Sequence, residues 1–305
     1  MAMVSKYTNE RIGDWGAPAP AVSDGYDTAT LNLPDGVELF YRRWKAPTAD
    51  APTLVLMHGL GAHSGWFIDM GNELNKRGLA IYAVDHRGFG RSGGPRGHVR
   101  QGAIYVRDLT TFLAEVKRQR PDRPLFILGH SMGGIFALHL AVEDARSGAN
   151  RIAGMILMNP WIADTAKVSP LTVLGLLAGG AMGSTRRFKT GDDTTIMTLN
   201  PEATTMLKAD TYWVREETAS FLFQITNMRM AALGQARKIR IPALIIQAEE
   251  DRSVVAAASK KAYDALASAD KTWKTYPGYA HDSELEAERT LLDDDIAQWV
   301  LARSS

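Results

Sequence analysis

The chain predicts an α/β domain: a mostly parallel, twisted sheet with helices on both faces and a helical insertion over one edge. Three observations predict it. From residue 53 onward, short apolar runs of strand length alternate with stretches of helical period, the pattern of crossover connections in a parallel sheet. Those runs are apolar at nearly every position, as strands buried on both faces are. Finally, 305 residues are many for one compact domain and few for two large ones, which suits one large domain carrying an insertion.

The elements follow in order. Residues 1–27 form an N-terminal extension: Lys6, Arg11, Pro18, Pro20 and Asp24 interrupt it, and it lacks the continuous apolar core of a secretion signal. Runs at 28–32 and 37–44 flank Pro34-Asp35-Gly36, a turn signal that predicts a β-hairpin. Thr53–Met57 reads as a buried strand, and Trp66–Lys76 as a helix with Phe67, Met70 and Leu74 on one face, closed by Gly78. Leu79–Val84 is the next strand. Tyr105, Leu109, Phe112, Leu113 and Val116 mark an amphipathic helix that stops before Pro121. Leu125–Leu128, Met155–Met158, Ala243–Gln247 and Thr272–Tyr276 supply further strands. Between Ile162 and Ala236 the pattern is helical with no convincing strand. The expected division is therefore a core of 28–161 and 237–305 with a helical cap, or lid, at 162–236.

Composition narrows the function. Thirty-five Lys and Arg balance 34 Asp and Glu, leaving +1, so no basic field for nucleic acid is implied. The chain has no cysteine, which excludes disulfides, thiolate zinc sites and a cysteine nucleophile. The longest apolar stretch, Leu171–Met182, falls short of the roughly 17 residues that span a bilayer. A cytoplasmic protein without a transmembrane segment is expected.

The chemistry concentrates at Gly129-His130-Ser131-Met132-Gly133-Gly134, between the strand ending at Leu128 and a helix over Ile135–Asp144. This is G-x-S-x-G in its strand–turn–helix context, where the turn is too tight for side chains beside the serine. The serine hydroxyl there points outward, beside the positive end of a helix. The bland reading, a glycine turn with an idle serine, does not account for that context.

A serine hydroxyl needs a base, and the base needs an orienting acid. In this scaffold the chain order is serine, acid, histidine. Of seven histidines only His139 and His281 follow Ser131. His139 lies on the helix behind the turn and reads as a packed residue. His281, in a loop after a strand, is the candidate base. The acid belongs at the end of the preceding strand, where Glu249, Glu250 and Asp251 compete; Asp251 is the choice and Glu250 the second candidate. Oxyanion donors are needed too. The Met132 amide is one, and the loop His58-Gly59-Leu60-Gly61, whose glycines let an amide turn inward, offers that of Leu60.

The same loop has a rival reading. Gly59, Gly61 and Gly65 follow a strand, and Asp85 ends the next one, which is similar to a dinucleotide-binding fingerprint. The last glycine comes one residue late, and the loop after Asp85 is glycine-rich rather than helical. A nicotinamide-dependent dehydrogenase is therefore the weaker alternative.

Together, His58–Gly61, Asp85-His-Arg-Gly-Phe-Gly-Arg-Ser92, Gly129–Gly134, Asp251 and His281 resemble the α/β-hydrolase superfamily. Within it they are most similar to the monoacylglycerol lipase and lysophospholipase-like branch, related to the serine aminopeptidase-type hydrolases, over residues 28–303. The resemblance implies Ser131 as nucleophile, Asp251 and His281 as its partners, Leu60 and Met132 as oxyanion donors, and His58 and Asp85 as loop-shaping residues with Gly59 and Gly61. The cap departs from the family pattern.

In the cap, Leu171–Ala178 is apolar almost all round, and Phe221, Leu222, Phe223, Ile225, Met228 and Met230 crowd its last helix. They either pack the cap onto the sheet or line a tunnel for an acyl chain, with some surface offered to lipid aggregates. Trp161 and Phe221 are the candidate pocket residues. The expected activity is hydrolysis of carboxylic monoesters with one apolar chain, through an acyl-enzyme, with no metal or organic cofactor. His58 and His63 lack a nearby carboxylate or thiolate to complete a metal site. Amide or C–C cleavage, perhydrolysis, and a non-catalytic ligand receptor are the alternatives.

Overall fold

The hairpin that opens the described chain has β1 (Tyr26–Asn32) and β2 (Glu38–Trp44) paired antiparallel. Its turn closes through Gly36 N–H to the Leu33 carbonyl, with Gly36 at φ 81°. There follow β3 (Thr53–Met57), α1 (Ile68–Lys76), β4 (Ala80–Val84), α2 (Ala103–Gln119), β5 (Leu125–His130), α3 (Met132–Arg146) and β6 (Ile152–Met158). After the inserted segment come β9 (Ala243–Ala248), α6 (Ala256–Ala265), β10 (Lys271–Tyr276) and α7 (Thr290–Leu301). This is a computed structural model describing residues 25–165, 179–191 and 193–304. The extension up to residue 24 and the apolar run 171–178 lie outside the described residues.

Eight strands form one sheet in the order β1-β2-β4-β3-β5-β6-β9-β10. The pairs β1/β2 and β2/β4 are antiparallel and every other neighbouring pair is parallel. This is the expected mostly parallel α/β sheet. Alternate residues of each central strand enter two separate cores. Val55, Met57, Leu125, Ile127, Met155 and Leu157 face one side; Leu54, Leu56, Phe126, Leu128, Ile156 and Met158 face the other. The first side is covered by α2 and α3, the second by α1 and α7. Both faces are buried, so the strands read as unbroken apolar runs.

Two local expectations change. The strand β6 begins at Ile152 rather than Met155. At Gly154 a Cβ would sit 2.9 Å from the rings of Phe126 and Trp299. The segment between β6 and β9 also contains strands: β7 (Arg187–Lys189) pairs antiparallel with β8 (Glu216–Thr218). Each is three residues long and mostly polar, so no apolar alternation marks it. The pair is matched by opposite charge instead, with Lys189 facing Glu216.

The same segment carries α4 (Pro201–Ala209) and α5 (Ala219–Ala236). Asn200 caps the first through its side chain on Glu202 N–H, and Thr218 caps the second on Phe221 N–H. Helix α5 buries Phe221, Ile225, Met228, Ala232 and Ala236. That spacing forms one stripe, and it joins the core on the α3 side. At roughly 1.5–3 kcal/mol for each large side chain, the stripe fastens α5 to the main domain.

Glu217 on β8 is fully buried. It accepts from the Thr190 hydroxyl, while its Oε1 has no partner among the described residues. Burial pushes its carboxyl up to about 8, against the Thr190 bond and the nearby Arg187 that lower it. The folded state thus keeps a proton that the unfolded chain releases from about 4.5 upward, so this contribution to stability is lost as pH rises through that window to about 8. Glu217→Gln, which still accepts from Thr190, should therefore melt higher than the parent by a margin that widens with pH. The slope is at most about 1.4 kcal/mol per pH unit. Melting curves at pH 5 and pH 8 measure it; a constant margin would contradict a buried neutral carboxyl.

Candidate active site

The loops that follow β3, β4, β5, β9 and β10 emerge at the carboxyl end of the parallel sheet, where ligands of open α/β sheets bind. Ser131 sits between β5 and α3 at φ 51°, ψ −112°, a backbone region costly for a residue with a Cβ. Three backbone bonds hold it. Its N–H donates to the Met158 carbonyl, and its carbonyl accepts from the N–H groups of Gly134 and Trp161, each at 3.0 Å. The neighbouring glycines are sterically required: a Cβ on Gly129 would overlap the Gly133 carbonyl, and one on Gly133 the Met57 carbonyl.

Ser131 Oγ lies 2.9 Å from His281 Nε2, and His281 Nδ1 lies 2.8 Å from Asp251 Oδ2. A carboxylate only accepts, so Nδ1 carries the ring proton and Nε2 accepts from the serine hydroxyl. The Asp251 side chain is 1% exposed, and its other oxygen accepts from the N–H groups of Ser253 and Val254. Glu250, the second candidate for the acid, instead accepts from Gly278 N–H. His139 bonds the Met228 carbonyl on α5, away from this line.

The loop after β3 packs on the serine turn. A Cβ on Gly59 would stand 3.1 Å from His130 Nδ1 and 3.2 Å from Ser131 Cβ. The amide N–H groups of Leu60 and Met132 bond to no acceptor among the described residues. His58 Nδ1–H donates to the Gly59 carbonyl and its Nε2 accepts from His86 N–H; burial pulls its ring down to about 3, so it is neutral. Asp85 spends one oxygen on Ser64 N–H and the other on Arg91 N–H. A dinucleotide ribose would find that carboxylate already committed.

His63 corrects the sequence reading. It does have a carboxylate neighbour, supplied from the inserted segment: Nε2–H donates to Asp210 Oδ2 at 2.9 Å, beside Trp66 Nε1–H at 2.8 Å. Some 147 residues separate the pair, so spacing could not show it. His63 Nδ1 accepts from Gly65 N–H, leaving neither nitrogen for a metal. His130, His281 and Asp282 bring possible ligand atoms within 4.8 Å of one another, but both His281 nitrogens are held by Ser131 and Asp251.

Of the two pocket candidates, Phe221 is fully buried, edge-on to Tyr105 and tilted against Phe89. Trp161 is half-buried beside Ser131, with the Arg229 guanidinium 4.9 Å over its ring and Asp164 bonded to both. Sequence reasoning missed Asn159. At φ 45°, its Nδ2 donates to the His281 carbonyl at 2.6 Å and to Ser283 Oγ at 2.9 Å, while Oδ1 accepts from Ala248 N–H. The available signal is one asparagine, a residue tolerant of positive φ, between buried Met158 and Pro160.

Residues 49–288 match the family model described as serine aminopeptidase, S33. The chain is 30% identical to a monoacylglycerol lipase of Mycolicibacterium smegmatis over 275 residues, 88% of this chain and 94% of that one. It is likewise 30% identical to the human monoglyceride lipase over 278 residues, 89% of each. Among solved structures, the monoacylglycerol lipase of Paleococcus ferrophilus superposes with a TM-score of 0.77 at 23% identity, covering 87% of this chain and 99% of that one. A soluble variant of the Saccharomyces cerevisiae monoglyceride lipase gives 0.79 at 23%, covering 94% and 99%. The fold is that of the α/β-hydrolases. No helix among the described residues is long and apolar enough to cross a membrane.

Asn159→Ala should cost about 2–4 kcal/mol, because it strands the Ala248 N–H and removes a donor from the His281 carbonyl. Urea unfolding tests this; a loss below about 0.5 kcal/mol, the size of an ordinary surface change, would show that the asparagine does not hold the histidine loop.

Proposed function

From a chain that belongs to the serine aminopeptidase, S33, family of α/β-hydrolases, and is a serine hydrolase of the lipase and esterase branch, we propose an enzyme that cleaves single-chain carboxylic esters. The observation that carries the reading is the continuous hydrogen-bonded line Ser131–His281–Asp251, at 2.9 and 2.8 Å, with its serine on a strained turn. Monoacylglycerols or lysophospholipids are the proposed substrates, because two relatives that match along most of this chain at 30% identity are a monoacylglycerol lipase and a monoglyceride lipase.

Ser131 Oγ attacks the ester carbonyl while His281 Nε2 takes its proton, and Asp251 stabilises the imidazolium that forms. The oxyanion is received by the Leu60 and Met132 N–H groups, which no acceptor among the described residues occupies. Each such donor is typically worth about 2.7–4 kcal/mol in the transition state. His281 then protonates the departing alcohol, leaving an acyl-enzyme, and activates the water that hydrolyses it. Every step is assigned to the chain's own residues. His58, Gly59, Gly61 and Asp85 hold the loop that presents Leu60. The segment 162–236 acts as the cap over the site, with Trp161 at its entrance and transient contact with lipid aggregates in a cytoplasmic setting.

The family's description as a serine aminopeptidase favours one second reading, cleavage of amides. Rates on matched p-nitrophenyl esters and p-nitroanilides separate the two. The ester series from acetate to palmitate should peak at medium or long chains. An optimum at acetate would move the substrate to small esters, and no ester turnover would remove the proposal. Ser131→Ala should lower kcat by roughly 10⁴-fold or more with an unchanged melting temperature. An active variant would mean another nucleophile.

A further inference from the structure

Behind the Ser131–His281–Asp251 line lies a second set of titratable side chains that the hydrolytic cycle does not use. His130, Asp282 and Glu284 are 1%, 2% and 1% exposed. Four of their polar atoms lack a hydrogen-bond partner among the described residues: His130 Nδ1, Asp282 Oδ2 and both oxygens of Glu284. Leaving such an atom buried and unmatched costs about 1–3 kcal/mol, so an arrangement that keeps four needs a physical account.

The geometry supplies one for two of them, His130 Nδ1 and Glu284 Oε1. His130 Nε2 faces the His281 backbone carbonyl at 3.0 Å. A carbonyl only accepts, so Nε2 carries the ring proton. In a neutral ring Nδ1 is then a bare lone pair, and it lies 3.3 Å from Glu284 Oε1. An ionised Glu284 would set lone pair against lone pair, or draw the ring proton across to Nδ1 and break the bond to His281. One proton on the carboxyl, donated to Nδ1, satisfies both atoms. Burial acts the same way on each partner, pushing the Glu284 carboxyl up to about 8 and the His130 ring well below its usual range. Asp282 lies on the other side of the ring, 3.4 Å from Nε2. The two carboxyls therefore face opposite ring nitrogens and do not converge on one cation.

We propose that Glu284 is a positioning residue for the hydrolytic site: its carboxyl proton, donated to His130 Nδ1, fixes the tautomer in which His130 Nε2–H holds the His281 carbonyl. The inference rests on the hydrolase reading of Ser131 and His281. With Asn159 as the second donor to the same carbonyl, Glu284 sets the backbone of the general base while touching neither substrate nor reacting atoms.

The test compares Glu284→Gln and Glu284→Leu with the parent on the best p-nitrophenyl ester. A glutamine amide can donate to Nδ1, so Glu284→Gln should keep kcat within about threefold. Leucine cannot donate, and Glu284→Leu should lower kcat about tenfold with KM unchanged. Equal kcat in the two variants, whether high or low, overturns the proposal, since packing or charge alone would then explain position 284. Histidine-selective ¹⁵N spectra of the parent provide a readout apart from activity and decide the matter if the leucine variant does not fold. His130 should show a protonated Nε2 and a hydrogen-bonded, proton-free Nδ1; a proton resident on Nδ1 or an unbonded Nδ1 overturns the assignment. A parent without turnover on esters or amides would fail the hydrolase reading, while the spectra would still report the tautomer.

Discussion

The positive φ of Ser131 is the constraint on which the rest of the site depends. A residue with a side chain held in so sparsely populated a region costs about 1–3 kcal/mol, and the surroundings must over-determine it. They do so from two directions. Backbone bonds tie Ser131 to the end of β6 and to Gly134 and Trp161, and glycines at 129 and 133 let α3 approach the β3 and β5 backbones without steric conflict. The result is a hydroxyl that leaves the sheet at one fixed point. The loops after β3, β9 and β10 are arranged around that point.

Charge is handled by burial with few compensating ions. His58, His86 and His130 are all fully buried, and burial lowers each ring so that it stays neutral. Their work is done by hydrogen bonds to backbone: His86 N–H to His58, His86 to the His58 carbonyl, His130 to the His281 carbonyl. Neutral imidazoles can hold the loop after β3 and the His281 loop without adding a cation beside His281. Arg87 is the contrast, since its guanidinium is paired with both Asp108 and Asp35, on the loop just beyond His86.

The sheet was legible because its central strands are buried on both faces, which makes them stand out as apolar runs, and because Gly129–Gly134 is a local steric requirement written in adjacent residues. Ser131, His281 and Asp251 could be ranked by chain order and strand ends alone. The features that escaped are long-range or depend on polarity. Asp210 reaches His63 across 147 residues, β7 and β8 are too short and too charged to show a period, and Asn159 works through three hydrogen bonds to distant backbone and side chains. Phe221 illustrates a different limit: an apolar stripe in α5 looks the same in sequence whether it lines a tunnel or joins the main core, and its contacts with Phe89 and Tyr105 come from far along the chain.

The stitching of the inserted segment bears on how the molecule breathes. Val214 N–H bonds the Gly61 carbonyl, Thr218 N–H the Gly97 carbonyl, Asp210 holds His63, and α5 sinks its stripe into the core. From Asp210 onward the segment is therefore one cooperative unit with the sheet, and it opens with the global transition rather than as a separate flap. Amide hydrogen exchange at Val214 and Thr218 would share the slow protection of the central strands.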